Sequence, residues 1–273
     1  QSARLYITAL GLYECSINGR PVSDDVFNPG WTDYSKRVQY KVYDVVDLLQ
    51  QGENVIGAIL GDGWAVGHIS WNHRQQYYDR PRLLAQLEVT LSDGNTLIVA
   101  TDTSWKYQFG PVLSNDMLMG EEYDARQEMP GWDAPHFDDR EWYSIKQFPD
   151  PGIALVATNG PTVKRIQELK PISNPTDKSN FTAKRYIFDL GQNMVGRVRF
   201  KGRAPANTTI TLRFAEVLND DGSLYTTNLR SARAVDYYTF KSEEEITWEP
   251  LFTFHGFRYV ELQDYPGEIT PDT

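Results

Sequence analysis

Cysteine is almost absent from this chain of 273 residues, in which Cys15 is the only one, so no internal disulfide can form. Cys15 lies in an alternating apolar pattern, which predicts a small buried strand residue rather than a nucleophile. Without disulfides, the sequence does not distinguish a secreted or periplasmic protein from a cytoplasmic one. A strand pattern begins within the first residues with no signal-peptide pattern before it, so we expect a mature product or a piece of a longer chain.

Positive charge and long apolar runs are also scarce. The chain has 27 lysines and arginines against 37 acidic residues, which gives a formal net charge of −10. A protein that binds a phosphate backbone needs a basic face, so this balance argues against a nucleic-acid partner. The longest apolar runs, such as VIGAIL at 55–60, are far too short to span a bilayer. We therefore expect neither a nucleic-acid partner nor a membrane span.

The common signatures of metal, nucleophilic and nucleotide chemistry are missing. The only histidines are His68, His73, His136 and His255, and neither an HExxH motif nor a cysteine cluster accompanies them. No GxSxG motif of a serine hydrolase occurs. The glycine-rich GDGW at 61–64 lacks the Lys-Ser/Thr of a phosphate loop, and no capped helix is expected after it. These absences argue against zinc, serine-nucleophile and nucleotide sites.

Aromatic residues are abundant, with 16 Tyr, 12 Phe and 7 Trp, which suits sheet surfaces and carbohydrate platforms. Alternation with a period of two dominates the chain. The predicted strands are RLYITAL (4–10), GLYECSI (11–17), RVQYKVY (37–43), LAQLEVTL (84–91), TLIVA (96–100), RYIFDL (185–190), GRVRFKG (196–202), TTITLRFAEV (208–217), VDYYTFK (235–241) and FRYVELQ (257–263). Hairpins are expected at Asn18-Gly19 and over residues 92–95.

The same alternation assigns side chains to faces. In the strand over 37–43, Val38, Tyr40 and Val42 share one face and Lys41 takes the other. In the strand over 208–217, Ile210, Leu212 and Phe214 lie on one face.

One helix is predicted in the first half of the chain, over VVDLLQQ at 45–51. Asp44 would cap this helix and Gly52 would stop it. Prolines punctuate residues 149–175, and we place a domain boundary there, which gives domains 1–160 and 161–273. The expected fold is all-β, with two antiparallel β-sandwich domains of jelly-roll-like, galactose-binding-like form and one or two short helices.

The aromatic-rich segment 61–81 is the main candidate for a ligand site. Aromatic side chains stack on the apolar C–H faces of sugars, and neighbouring amides and carboxylates bind the hydroxyls. The predicted carbohydrate-binding residues are Asn28, Asp62, Trp64, Trp71, Asn72, Gln76, Tyr77, Tyr78 and Asp79. The alternative is a strand end whose glycines bend the backbone while Trp64 covers the mouth of a sandwich.

Calcium is the one metal for which the sequence offers oxygen ligands on loops. Asp25, Asn28, Asp79 and the carbonyl of Pro81 form the candidate calcium set. The calcium-like NDDGSLY at 219–225 is shorter than an EF-hand loop and is better interpreted as a hairpin turn. No other cofactor is indicated.

Glycoside hydrolysis by the chain itself needs an acid and a base carboxylate, about 6.5–9.5 Å apart in inverting enzymes. The carboxylates to test are Asp62, Glu121, Glu122, Asp189 and Glu216. They fall mostly in turns and show no convergent pair, so we assign no catalytic residue.

Several segments resemble one family, in order and in spacing, over nearly the whole chain. ARLYITALGLYECSINGRPVSDDVFNPGWTDYSKRVQY (3–40), GENVIGAILGDGWAVG (52–67) and GEEYDARQEMPGWD (120–133) resemble the amino-terminal β-sandwich of bacterial α-L-rhamnosidases. FDLGQNMVGRVRF (188–200), LRFAEVLNDDGSLYTTNLRSARAVDYYTF (212–240) and FTFHGFRYVEL (252–262) resemble the β-sandwich that follows it.

The resemblance implies a hydrolase that releases terminal α-L-rhamnose, with inversion, from a rhamnose-containing glycan or glycoside. It places the catalytic carboxylates in a downstream (α/α)₆ domain, which would begin at about Thr273. The chain would then be an accessory region rather than the catalyst. The alternatives are a self-sufficient glycoside hydrolase and a protein–protein adhesion module.

Two binding expectations follow from the resemblance. In some relatives the first sandwich holds L-rhamnose through calcium, on loops that correspond to 24–33 and 72–81 here, although DDVFN stands where an Asp-Asn pair is expected. The second sandwich would pack against the (α/α)₆ domain through Phe254, His255, Phe257, Arg258 and Tyr259, for which the alternative is ordinary core packing.

Overall fold

The computed structural model describes residues 2–273 and divides them into two compact units. The first unit comprises residues 2–109 with Met129–Arg165, and the second unit comprises Gly110–Glu128 with Ile166–Thr273. Each unit is therefore built from two stretches of chain. The predicted domain boundary near residue 160 stays a prediction.

The described chain consists mainly of short strands. They are β1 (Ser2–Leu10), β2 (Leu12–Ile17), β3 (Arg20–Pro21), β4 (Arg37–Asp44), β5 (Ile56–Gly61), β6 (Arg82–Thr90), β7 (Thr96–Ala100), β8 (Lys106–Tyr107), β9 (Val112–Asp116), β10 (Gly120–Asp124), β11 (Tyr143–Ser144), β12 (Ala154–Ala157), β13 (Thr176–Asp177), β14 (Arg185–Gly196), β15 (Phe200–Gly202), β16 (Thr209–Ala215), β17 (Val235–Thr239), β18 (Ile246–Trp248) and β19 (His255–Gln263). The helices are α1 (Gly63–Val66) and the 3₁₀ turns Val46–Leu48, Ala125–Gln127 and Thr227–Leu229. Over residues 2–273 no helix combines the length and the apolar character that crossing a membrane requires.

The first unit packs two sheets against each other. One has the strand order β12-β4-β1-β6-β7 and the other β3-β2-β5, and β8 pairs with β11 separately. Leu5 and Ile7 of β1 share a buried cluster with Tyr13, Cys15 and Ile17 of β2. Because this core draws on both sheets, they form a sandwich, and Cys15 is buried in it as the alternation predicts.

Both predicted hairpins are confirmed. Asn18 and Gly19 have φ of 53° and 74°, the positive values that a tight two-residue hairpin turn requires. The turn joins β2 to β3. The second hairpin joins β6 to β7 around the turn at 92–95.

The second unit has a seven-stranded sheet in the order β13-β14-β19-β16-β17-β10-β9 and a two-stranded sheet of β15 and β18. Ile210, Leu212 and Phe214 are 0%, 2% and 1% exposed, so their shared inward face is confirmed. They pack with Phe200 and Trp248 from the small sheet. The predicted all-β fold of antiparallel sheets is therefore confirmed, with parallel pairing only between β10 and β17 and between β12 and β4 among the described strands.

The predicted helix over 45–51 is wrong in extent, because only the 3₁₀ turn Val46–Leu48 forms there. Asp44 Oδ1 accepts a hydrogen bond from the Val46 amide at 3.2 Å, but Val45 rather than Asp44 occupies the N-cap position. The Asn18 side-chain amide donates to the Leu48 carbonyl at 3.0 Å, which a longer helix would use internally. The side chain of Asn18, in the hairpin turn, thus replaces the amide to which the Leu48 carbonyl would bond in a longer helix.

The structure forms its α-helix where none was expected, at Gly63–Val66. The amides of Gln75 and Tyr78 donate to the carbonyls of Val66 and Ala65, at 2.7 and 3.1 Å. The following loop therefore binds the carbonyls that a helix of one turn leaves without internal partners.

The face assignment of β4 is confirmed, and its inward face is the one that carries Lys41. Lys41 is only 8% exposed, whereas Val42 is 47% exposed. Lys41 lies opposite Ile7 of β1, and directly opposed residues of an antiparallel pair share a face. Lys41 therefore faces inward with Ile7, while Val38 is buried separately against Tyr34.

Candidate functional site

Two tryptophans of the first unit form a stacked pair, here called the tryptophan platform. The rings of Trp31 and Trp64 lie 5.8 Å apart between centroids with an interplanar angle of 6°. Trp31 is 54% exposed, so much of its indole faces solvent. A large exposed aromatic face is the surface on which sugar rings stack.

Short-range packing holds Trp64 in place. Its neighbours in α1, Ala65 and Val66, are both 1% exposed and anchor the helix in a cluster around Tyr34. Tyr77 contacts Tyr34 edge-on at 5.3 Å, and the Tyr78 hydroxyl donates to the Tyr34 carbonyl at 3.4 Å. Tyr77 and Tyr78 are half-buried, so they brace the segment that carries Trp64.

Several of the predicted sugar-binding residues lie on the exposed loop that follows α1. Trp71 is 72% exposed, and Asn72 is exposed beside it. The Gln76 side-chain amide donates to the His73 carbonyl at 2.9 Å. Arg74 forms an ion pair with Asp62 at the start of α1, which ties this loop to the helix.

Asn28 lies in a different environment from that loop. It is 5% exposed, and its side-chain amide donates to the Asp25 carbonyl at 3.2 Å. Its own carbonyl accepts from the Tyr13 amide at 3.0 Å. Asn28 therefore holds the loop before β4 in place instead of presenting its amide to solvent.

The candidate calcium ligands do not form a fitting donor set. Asp25 is 6% exposed and its carboxylate lies 3.6 Å from the Lys164 ammonium. Asp79 is exposed and paired with Arg80 and Arg82, at 2.8 and 3.7 Å, and the Arg80 hydrogen bond holds its pKa below the usual range. Calcium needs several converging anionic or carbonyl oxygens, not carboxylates already bound to cations. Within residues 2–273, no cluster of three or more His, Cys, Asp or Glu side chains could hold a metal ion.

A buried polar network occupies one part of the second unit. Glu121 is 1% exposed, and it accepts hydrogen bonds from the Leu251 and Phe252 amides at 3.0 and 2.8 Å. Asp236, which is 0% exposed, accepts from the Glu121 amide at 2.9 Å and from His255 Nε2 at 3.1 Å. Burial raises the pKa of Glu121 to about 7, against the lowering effect of the two amide donors.

The other carboxylates proposed for catalysis are separately engaged. Arg258 donates to both oxygens of Asp189, at 2.7 and 2.8 Å, and this bond keeps the pKa of Asp189 low. Glu216 accepts from the side-chain amides of Asn193 and Asn228, at 3.1 and 3.0 Å. Glu122 is exposed on β10. Asp189 and Glu216 are therefore each held by other side chains of the second unit.

The predicted docking residues are corrected in part. His255 and Phe257 are 4% and 1% exposed, because alternation along β19 turns both into the core of the second unit. His255 stacks on Phe214 at 4.1 Å between ring centroids. Arg258, Tyr259 and Phe254 are half-buried, so only these three could contribute to a contact with another domain.

Comparisons with known proteins agree with this architecture. Residues 1–167 match the family model described as the α-L-rhamnosidase N-terminal domain, and residues 179–273 match that of the bacterial α-L-rhamnosidase concanavalin-like domain. The chain belongs to the α-L-rhamnosidase family. The resemblance inferred from the sequence is thereby confirmed.

Similar α-L-rhamnosidases are much longer than this chain. One from Streptomyces avermitilis is 48% identical over 270 residues, which are 97% of this chain and 26% of the relative. One from Formosa agariphila is 43% identical over 277 residues, which are 99% of this chain and 29% of the relative. The chain thus corresponds to between a quarter and a third of these rhamnosidases.

Solved structures give the same result. The crystal structure of the Streptomyces avermitilis α-L-rhamnosidase complexed with L-rhamnose superposes with a TM-score of 0.96 and 46% identity, over 100% of this chain and 26% of that one. The α-L-rhamnosidase from Dictyoglumus thermophilum superposes with a TM-score of 0.92 and 39% identity, over 99% of this chain and 29% of that one.

The sequence interpretation missed Trp31, although it lies in the NPGW turn within a segment that carries the rhamnosidase resemblance. Its partner Trp64 is 33 positions later, and periodicity does not report such a contact. The one available signal was the Pro-Gly turn, since turns and loops run over the protein surface.

Proposed function

We propose that this chain is a non-catalytic accessory region of an α-L-rhamnosidase that releases terminal α-L-rhamnose from glycans or glycosides. The first unit binds the rhamnose-containing ligand on the tryptophan platform, and the second unit gives structural support to the parent enzyme. The exposed stack of Trp31 on Trp64 is the observation that carries the binding part.

The chemistry of the sugar supports this choice. L-Rhamnose is a 6-deoxy sugar, so its ring C–H groups and methyl group are apolar while its hydroxyls need polar partners. An indole face meets the first requirement. The exposed polar side chains after α1, Asn72 and Gln76 among them, are available for the second. The Streptomyces avermitilis relative was crystallised with L-rhamnose, which favours this sugar as the ligand class.

The state of the carboxylates supports a non-catalytic role. Glycoside hydrolysis requires two carboxyl groups that reach the scissile bond from a solvent-accessible cleft. Glu121 and Asp236 are closed off in the core, while Asp189 is held by Arg258. Catalysis by the parent enzyme would therefore depend on residues outside this chain.

Calorimetric titration of the chain with L-rhamnose, with and without calcium, tests the binding proposal. We expect heat of binding in both conditions, and an affinity loss of about tenfold or more in Trp31→Ala because one stacking surface is lost. Phe109→Ala is the matched control, since Phe109 is 74% exposed and contacts Tyr107 edge-on instead. Absence of heat in both conditions would overturn the binding proposal.

Assay of the chain alone on p-nitrophenyl α-L-rhamnoside tests the non-catalytic role. We expect no release of p-nitrophenol above background. Turnover that is lost in Glu216→Gln or Asp62→Asn would contradict an accessory role and favour a self-sufficient hydrolase.

A further inference from the structure

The first unit contains a depression of about 450 Å³ that is distinct from the tryptophan platform. Its wall combines β4, β12 and the two segments around residues 23–25 and 158–164. The lining residues are Ser23, Asp25, Tyr40, Lys41, Val42, Tyr43, Ala157, Thr158, Gly160, Thr162 and Lys164. Small-molecule sites in proteins commonly enclose about 300–1,000 Å³, so the depression can hold a monosaccharide.

We propose that this depression, here called the lysine pocket, binds a saccharide that carries one carboxylate group, with the Lys41 ammonium as its anchor. The ligand class is a hexuronic acid, either free or as a residue of a glycan. This second site does not depend on the tryptophan platform.

Lys41 carries the proposal because its side chain is mostly buried in the pocket wall while its ammonium group has no bonded partner. It lines the lysine pocket and is 8% exposed. In the part of the chain that the structure describes, its Nζ makes no hydrogen bond and no ion pair within 4.0 Å. A buried charge is costly unless it is paired, so an ammonium in this position is suited to an anionic ligand.

The remaining charges in the pocket favour a ligand with a single negative charge. Lys164 is already paired with Asp24 at 2.6 Å and with Asp25 at 3.6 Å. These contacts compensate the positive charge of Lys164. Lys41 is therefore the lysine of the pocket lining that has no bonded carboxylate. Burial lowers the pKa of Lys41, and only the attraction of Asp25 opposes this. A ligand carboxylate would add the missing counter-charge.

The neutral and acidic lining groups favour a sugar over inorganic phosphate. Asp25 is buried at the pocket, where its carboxylate can accept from ring hydroxyls but repels a phosphate dianion. The rings of Tyr40 and Tyr43 supply apolar surface for the sugar C–H groups. The Tyr43 hydroxyl lies 3.3 Å from that of Tyr13, which fixes the ring in place.

Calorimetry with sodium D-glucuronate, D-glucose and inorganic phosphate tests the proposal on the whole chain. We expect glucuronate to bind about tenfold or more tightly than glucose, and phosphate to give no heat. Equal affinity for glucuronate and glucose, tight phosphate binding, or no glucuronate heat at millimolar concentration would each overturn it.

Variants localise the binding and separate it from the platform. Lys41→Met keeps the length of the side chain and removes the charge, so glucuronate affinity should fall about tenfold or more. Lys36→Met is the matched control, because Lys36 is an exposed lysine paired with Asp33 at 3.0 Å. Unchanged glucuronate binding in K41M would overturn the assignment.

Trp31→Ala should weaken L-rhamnose binding and leave glucuronate binding intact, so the failure of one site is distinguishable from that of the other. If glucuronate binding also disappears in W31A, the lysine pocket is not an independent site. K41M should fold because it removes an unpaired buried charge. If it does not fold, the preference of the wild-type chain for glucuronate over glucose still decides the question.

Discussion

The two units differ in whether their buried ionisable side chains have bonded partners. In the second unit Asp236 is 0% exposed, and its carboxylate is bound by the Glu121 amide and the His255 ring. In the first unit Lys41 is 8% exposed and its ammonium has no bonded partner among residues 2–273. A satisfied buried network fixes a fold, whereas an unsatisfied group beside an open depression indicates a ligand.

The largest change in stability that this comparison predicts is in the second unit. Asp236→Ala leaves the His255 ring and the Glu121 amide buried without their acceptor. The free energy of unfolding should fall by about 3–5 kcal/mol. Hydrogen exchange read on peptides from β16 and β17 measures the change. Asp220→Ala, which removes an exposed carboxylate, is the control and should leave exchange unchanged. Equal exchange in D236A and wild type would show that the network is not structural.

The next effect is a pH dependence of stability that comes from Glu121. Its pKa of about 7 in the folded chain exceeds the ordinary value of 4.5, so the folded state retains a proton that the unfolded state has lost. The free energy of unfolding should therefore fall as pH rises from 4.5 to 7 and level off above. The total change is about 3 kcal/mol.

Urea unfolding at a series of pH values measures this slope. Glu121→Gln removes the titrating group and keeps an oxygen that can accept from the Phe252 amide, so its curve should be flat across the same window. An equal slope in E121Q and wild type would assign the titration to another group.

Lys41→Met should change the free energy of unfolding by a smaller amount, and should raise it rather than lower it. Removing an ammonium that is partly withdrawn from water and has no bonded partner should raise the free energy of unfolding, by about 1 kcal/mol. Urea unfolding in the absence of sugar measures it. A loss of stability in K41M would mean that Lys41 is stabilised by the fold, and the contrast between the two units would disappear.

The sequence predicted the strands and their hairpins well, because these depend on local alternation and on turn residues. Ile210, Leu212 and Phe214 are buried as the period of two requires. Alternation alone does not say which face of a strand is inward, so it left the direction of Lys41 open. Its inward direction follows from the pairing with Ile7.

The candidate sites depend on contacts between distant positions, which local patterns do not report. Trp31 and Trp64 come together only when the loop before β4 folds over α1. His255 was expected at a docking surface because aromatic residues surround it in the sequence. Its partner Asp236 lies on a different strand, and their pairing satisfies the ring that β19 turns into the core.

Sugar binding by the first unit is tested most directly by the indole N–H resonances of the 7 tryptophans during an NMR titration with L-rhamnose. The account predicts saturable shifts for Trp31 and Trp64, with none for Trp248, which is 7% exposed in the core of the second unit. Indole resonances that all stay in place at saturating L-rhamnose would contradict it.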